Sequence, residues 1–456
     1  MPKILVDVWP ARGHFNGSLK MILLLKDAGF EIVYLNMSLL KDDLKKNGFQ
    51  NVTTSQFTRP FEFFRWRLSL KLFINALLEF NKNKYTEKKS HEFEQFKQFI
   101  HQLSPDLVFL DDQNMLKAII YELCGIPVIC IDSMPDSSMY EDIPPYTSYF
   151  VPDNSFLSNW YCKFLWGKKI IQNKLRLKIM QINMVGMDDY STISKLAQQN
   201  KVNLVKRLDF KRGCGFGIKN TPHLIVAPAD FDFPHHIKKE VYNIGPLINI
   251  KREGEIDKPR YNVLLKSLTV FKNLKKGFVV FCSLGTITSA FQKSKRTFLH
   301  RMLKTAELNS SDFFVLSAGK EFDVSKLFPI PENMFVFDFV PQVDLLQHCD
   351  IMINHGGMNT ITECIFCEVP MLVYPLSPYW DQPGNSARVV YHGLGLNGKI
   401  NKDSAKTISN KLNHIKSNYS YYKKNVLAMK AKFEEKNNSY EVVEIIENIL
   451  KEDKQV

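Results

Sequence analysis

Residues 339–388 read FVPQVDLLQHCDIMINHGGMNTITECIFCEVPMLVYPLSPYWDQPGNSAR, the most informative stretch of the chain. Within it the β-rich run Ile351 to Asn354 ends at His355-Gly356-Gly357, and the pattern predicts a helix from near Asn359. Two glycines at a strand-to-helix turn let the backbone come close to a ligand, and the free amides at the helix start favour an anion. His355 and Thr360 add side-chain donors. Glu363 lies one turn beyond Asn359 on the same helix face, where its carboxylate can accept from hydroxyls. An isolated HGG also suits a plain tight turn, so its surroundings decide its meaning.

Working outward, the same strand-then-turn unit recurs. GFVVFCSLGT, DFFVLSAG, MFVFDFV, DIMINHGG and PMLVYPL form one series in the second half. In the first half, KILVDVW at 3–9 is followed by a glycine-containing loop, a helix over Leu19 to Ala28 and a strand over Phe30 to Asn36. DLVFLD at 106–111, a helix over Met115 to Cys124 and a strand over Val128 to Ile131 repeat the unit, with further strands at Leu224 to Ala227 and Val241 to Ile244. Strand, helix, strand in alternation means parallel sheets covered by helices. Residues 248–276 break the rhythm with a polar, charged run. The expectation is therefore α/β with two doubly wound, Rossmann-like domains facing across a cleft: 1–250, a linker at 251–276, and 277–456, whose final helix can pack back on the first domain. In such sheets the site lies beyond the carboxyl ends of the strands.

Bulk properties agree with two domains in one chain. The 456 residues are 45% hydrophobic and 23% charged, an ordinary globular balance. A formal charge of +13 attracts anions. No zinc-finger spacing or recognition-helix signature is present, so nucleic acid ranks below an anionic membrane face or phosphorylated substrates. Eight cysteines lie mostly in apolar runs, which suits free thiols in a reducing compartment; Cys364 and Cys367 form a CxxC best read as core. A strand begins almost at once, with no cationic leader, and no apolar run reaches about 20 residues, so a cytoplasmic location is expected. Two aromatic, basic stretches stand outside the pattern: 57–80, with Arg59, Arg65, Arg67 and Lys71, and 155–182, with Phe156, Trp160, Tyr161, Phe164 and Trp166. Either can line a pocket, lie on an anionic membrane face at its inner side, or be buried within the domain. The charged C-terminus, 402–454, reads as helical with a solvated face.

Phe339-Val340-Pro341-Gln342, His355-Gly356-Gly357-Met358-Asn359-Thr360-Ile361-Thr362-Glu363, Pro370, Pro375, Asp381-Gln382, Asn385 and Arg388 together resemble the C-terminal signature of the UDP-glycosyltransferase superfamily, including its bacterial macrolide and natural-product members. The resemblance implies the GT-B fold and a nucleotide-sugar site. Phe339 stands where the family usually has a tryptophan stacking on uracil, and Gln342 would meet the base edge or ribose. His355 would touch the diphosphate, with Gly357 at the turn; Asn359 and Thr360 would support the phosphates, and Glu363 would hold the ribose. Asp381 and Gln382 would hold the sugar, the glutamine favouring glucose. Ser283-Leu284-Gly285-Thr286 resembles the family's first donor-domain loop, with Ser283, Gly285 and Thr286 near the β-phosphate.

By the same resemblance, His14 in the loop after the first strand would be the general base. Asp111 is the better match to its supporting aspartate, with Asp112 as a helix cap in reserve. The reaction implied is an inverting, metal-independent hexosyl transfer from a UDP-sugar to a small hydrophobic acceptor bearing a hydroxyl, with no cofactor and no metal ligands. The acceptor-binding residues are not legible. The alternatives are a sugar-nucleotide epimerase of similar fold and a non-catalytic nucleotide-sugar-binding partner at a membrane surface.

Overall fold

A computed structural model of the chain describes residues 2–57, 69–78, 82–213, 215–247, 257–274, 277–285, 291–435 and 441–453. Two parallel sheets organise it. The first contains β1 (Lys3–Asp7), β2 (Glu31–Leu35), β3 (Gln50–Val52), β4 (Leu107–Asp111), β5 (Val128–Asp132), β6 (His223–Pro228) and β7 (Val241–Gly245). Its spatial order is β3-β2-β1-β4-β5-β6-β7. The second contains β8 (Val279–Ser283), β9 (Phe313–Ser317), β10 (Met334–Phe337), β11 (Ile351–Asn354), β12 (Met371–Val373) and β13 (Gly395–Asn397), ordered β10-β9-β8-β11-β12-β13.

β4 and β5 are buried along their whole length, as a parallel sheet covered by helices on both faces requires. That is why they read as continuous apolar runs instead of alternating ones. Each sheet carries a core on either face. Leu5, Val108, Leu110 and Cys130 pack one way from the first sheet, and Ile4, Val6, Phe109 and Ile131 the other. Register aligns the strand ends that matter: Asp7 pairs with Leu110, so Asp111 leaves the sheet beside the β1 exit. Ser283 pairs with Asn354, which sets the turns after β8 and β11 side by side. The two doubly wound halves face each other across a cleft, in the GT-B arrangement.

The structure details several elements that the sequence only outlines. The segment holding His14 is not a loop: the helix begins at Arg12 and runs to Asp27. It includes Gly13 and Gly17. A Cβ at Gly17 would lie 3.0 Å from Ser133 Cβ and 3.4 Å from Asn359 Oδ1, so the glycine suits a tightly packed spot. Of the 251–276 stretch, residues 258–273 form a helix, with Tyr261, Leu264 and Leu268 buried against the second sheet. In the C-terminal stretch, Val442 and Ile446 of helix Glu441–Asp453 are buried with Leu19 and Ile22 of the first half. Of the aromatic stretch 57–80, residues 58–68, 79 and 80 lie outside the described residues; Leu70–Leu78 is a helix. Cys364 is a buried free thiol, and Cys367 is free and half-buried.

Candidate active site

β1 and β4 deliver the two groups on the first-half side of the cleft. His14 sits in the first turn of its helix, and Asp111 is the last residue of β4. His14 Nδ1 lies 2.5 Å from Asp111 Oδ2. Asp111 also accepts from the Gln113 amide at 3.1 Å and the Trp9 amide at 3.4 Å, so three donors converge on one buried carboxylate. With Asp111 ionised, the proton of the neutral ring resides on Nδ1 and Nε2 keeps its lone pair. The His14 side chain is 17% exposed, enough to meet a substrate.

Electrostatics separates the neighbouring acids. Burial opposes charge on both members of the pair, yet the Asp111 carboxylate raises the His14 pKa, helped by Asp381, and His14 in turn lowers that of Asp111. Asp112 goes the other way. Burial, then Asp132 and Asp111, push its carboxyl well above the ordinary range. Geometry and charge thus choose Asp111 as the histidine's partner, while the surroundings of Asp112 disfavour its charged form.

Across the cleft, His355 follows β11. Its ring is half-buried and closely flanked: a Cβ on Gly285 would lie 2.6 Å from His355 Cε1, and one on Gly357 would lie 2.7 Å from Nε2. A side chain at either place would displace the ring from its present position. Burial, with a contribution from Lys295, lowers the His355 pKa to about 4, so the ring is neutral near pH 7. Its Nδ1 is buried without a hydrogen-bond partner among the described residues. Ser283 ends β8 and Gly285 lies on the turn that follows; Thr286 falls outside the described residues.

The other expected donor-side residues form two groups. Gln342 Nε2 donates to Glu363 Oε2 at 2.5 Å and to Thr360 Oγ1 at 3.2 Å, which unites those three. Phe339 is half-buried, with Lys320 Nζ 5.6 Å from its ring centre. Asp381 is half-buried at the start of helix Gln382–Tyr391, as its N-cap, and accepts from Asn385 Nδ2 at 2.7 Å; desolvation raises its pKa. Gln382 turns its Oε1 onto the Leu376 and Ser377 amides, at 2.8 and 3.1 Å. Asn359 donates across the cleft to the Gly13 carbonyl at 2.9 Å, tying the donor side to the turn that carries His14.

Two features escaped the sequence reading. Lys295, in helix Gln292–Leu308, is only 3% exposed, and a Cβ on Gly319 would sit 2.7 Å from its Nζ. This buried ammonium therefore points at the strand ends beside His355; in the sequence it looks like one of several surface lysines. The second is Cys130, Asp132 and His223, whose donor atoms lie within 4.8 Å of one another. Cys130 and His223 are register partners on neighbouring strands. His223 Nδ1 is 2.9 Å from Asp132 Oδ2, and burial holds the Cys130 thiol protonated, so the cluster reads as a hydrogen-bonded group inside the sheet.

The profile of a family described as UDP-glucoronosyl and UDP-glucosyl transferase matches residues 18–436. An uncharacterized UDP-glucosyltransferase of Bacillus subtilis, YojK, is 30% identical over 184 residues, 40% of this chain and 40% of its own. A zeaxanthin glucosyltransferase of Pantoea ananas is 32% identical over 117 residues, 25% of this chain and 26% of that one. The matched stretches thus span well under half of these relatives. Among solved structures, the calicheamicin glycosyltransferase CalG4 superposes with a TM-score of 0.65 at 17% identity, covering 99% of this chain and 98% of its own. The glycosyltransferase of kitacinnamycin gives 0.64 at 18%, covering 98% and 99%. At such identities these two speak for the fold.

Proposed function

The chain belongs to the UDP-glucoronosyl and UDP-glucosyl transferase family, and from that premise we propose that it transfers a hexose, glucose by preference, from a UDP-sugar to a hydroxyl of a small hydrophobic acceptor, with inversion and without a metal. The observation that carries the reading is the His14–Asp111 contact at 2.5 Å, in the field of Asp381 across the cleft.

In the proposed reaction His14 Nε2 takes the proton of the acceptor hydroxyl as that oxygen attacks the anomeric carbon. The new C–O bond forms opposite the bond to the diphosphate, which breaks and leaves UDP; an α-linked donor gives a β-glycoside. Asp111 stabilises the imidazolium that forms. Departing negative charge meets the amides after β8 and β11, the neutral His355 ring and the Lys295 ammonium. Gln342, Thr360 and Glu363 form the nucleoside end, beside Phe339. Asp381 and the Gln382 amide group form the sugar end. A cytoplasmic location is part of the same proposal, supported by the seven unpaired cysteines among the described residues, of which six are buried.

The test is a transfer assay with UDP-glucose and a panel of hydrophobic alcohols, reading product mass and anomeric configuration. A β-glycoside formed by the native protein and lost in His14→Ala is expected. An α-product, or turnover abolished by chelator alone, would overturn the mechanism.

A further inference from the structure

Helix Phe156–Asn183 has two apolar faces, and the fold uses one of them. Cys162, Trp166 and Leu177 are buried inward, with Trp166 Nε1 donating to the Ile143 carbonyl at 2.8 Å. On the far side Phe156, Trp160, Phe164, Ile171, Leu175 and Ile182 are all exposed, the first three by 83%, 60% and 53%. At 3.6 residues per turn these six fall within an arc of about 100°, roughly opposite the buried row. A continuous exposed stripe of this kind marks an interaction surface. The indole of Trp160 and the ring of Phe164 lie parallel, 6.0 Å apart, on the outside of the molecule.

Charge decides what covers the stripe. The helix holds five lysines and one arginine and no acidic residue. Lys168, Lys174 and Lys178 are exposed along or beside the apolar row, and Lys163, also exposed, pairs with Glu141 at 2.8 Å. A protein partner or a second copy would have to match the apolar stripe and supply a dense row of acids. An anionic bilayer does both at once: aromatic and aliphatic groups enter the interface while lysines meet the headgroups. No helix among the described residues is long and apolar enough to cross a membrane, so the contact is peripheral.

We propose that the outer face of helix Phe156–Asn183 docks on an anionic lipid bilayer. The inner side of the same helix reaches the cleft, where the Arg176 guanidinium lies 5.5 Å from the Tyr379 ring centre, two residues before Asp381. Docking therefore sets the transfer site beside the membrane, and acceptors dissolved in the bilayer become the relevant class. That last step rests on the transferase reading; the docking itself does not.

The experiment is sedimentation of the full chain with phosphatidylcholine vesicles, with and without phosphatidylglycerol, alongside calorimetric titration with UDP. Native protein should pellet with the anionic vesicles only, and lose binding in high salt. The double variant Trp160→Ser with Phe164→Ser should partition roughly tenfold more weakly. Lys174→Glu with Lys178→Glu tests the electrostatic half and should also stay in the supernatant. Both variants should bind UDP as the native protein does, which reports that they fold. Native protein that binds UDP yet ignores anionic vesicles would overturn the proposal, as would variants that pellet undiminished. A lipid-free dimer abolished by the aromatic variant would also overturn it, assigning the stripe to a second copy. Vesicle binding without UDP binding would instead remove the transferase reading and leave the docking face standing.

Discussion

At the residue scale the site is a matter of which groups carry charge. Asp111 raises the His14 pKa above its ordinary 6.5, so the base is neutral only above that raised value. The rate with donor and acceptor should therefore climb with pH through the region above 6.5. Asp111→Asn should move this acid limb to lower pH and reduce kcat by about 10²–10⁴, the range for a lost general base or its orienting group. A pH profile of both proteins checks it. His355 behaves oppositely. Its pKa is lowered to about 4, so in the unfolded chain it takes a proton near 6.5 that the folded chain refuses until about 4. Stability is lost as pH falls through that window, by about 3 kcal/mol when complete. Denaturant titrations at pH 7 and pH 4 should show a shallower decline in His355→Asn.

At the element scale, the turns after β8 and β11 are built around one ring. Gly285 has φ of 79°, and its missing Cβ is where the His355 ring lies. Gly285→Ala should cost about 1–2 kcal/mol from the left-handed backbone alone. Displacement of the ring should in addition weaken UDP binding, read by calorimetry. This turn was legible in the sequence, because a β-rich run ending in HGG admits few conformations. The helix from Arg12 was not. Glycine is a poor helix former, and two within five residues look like a loop. Close approach to Ser133 and Asn359 outweighs that local preference. The strands Gln50–Val52 and Gly395–Asn397 were missed for another reason: each is three residues at a sheet edge, too short to show a period. Lys295 was hidden because burial of one lysine in a charged helix leaves no sequence mark.

At the scale of the whole molecule, the two halves are joined by more than the cleft residues. Arg388, buried in the second half, reaches Asp232 of the first with Nη2 at 2.6 Å and Nε at 2.8 Å, and its guanidinium lies 4.5 Å from the Phe233 ring centre. The Gly384 amide donates to the Tyr146 carbonyl at 2.8 Å nearby. No local pattern announces a pair 156 positions apart, although Arg388 itself stood out in the signature. Arg388→Ala strands the buried Asp232 charge and should cost about 3–5 kcal/mol. Adding Asp232→Asn should restore part of that loss, seen as recovery of the denaturation midpoint.

All three scales meet in the claim that the second half holds a uridine diphosphate against His355 and Lys295. Calorimetric titration of the native protein with UDP, dTDP and GDP, repeated with His355→Ala, tests it most directly. Selective UDP binding that weakens by roughly tenfold or more in the variant is the predicted result. A folded native protein that binds none of the three, or a variant that binds UDP undiminished, would contradict the account.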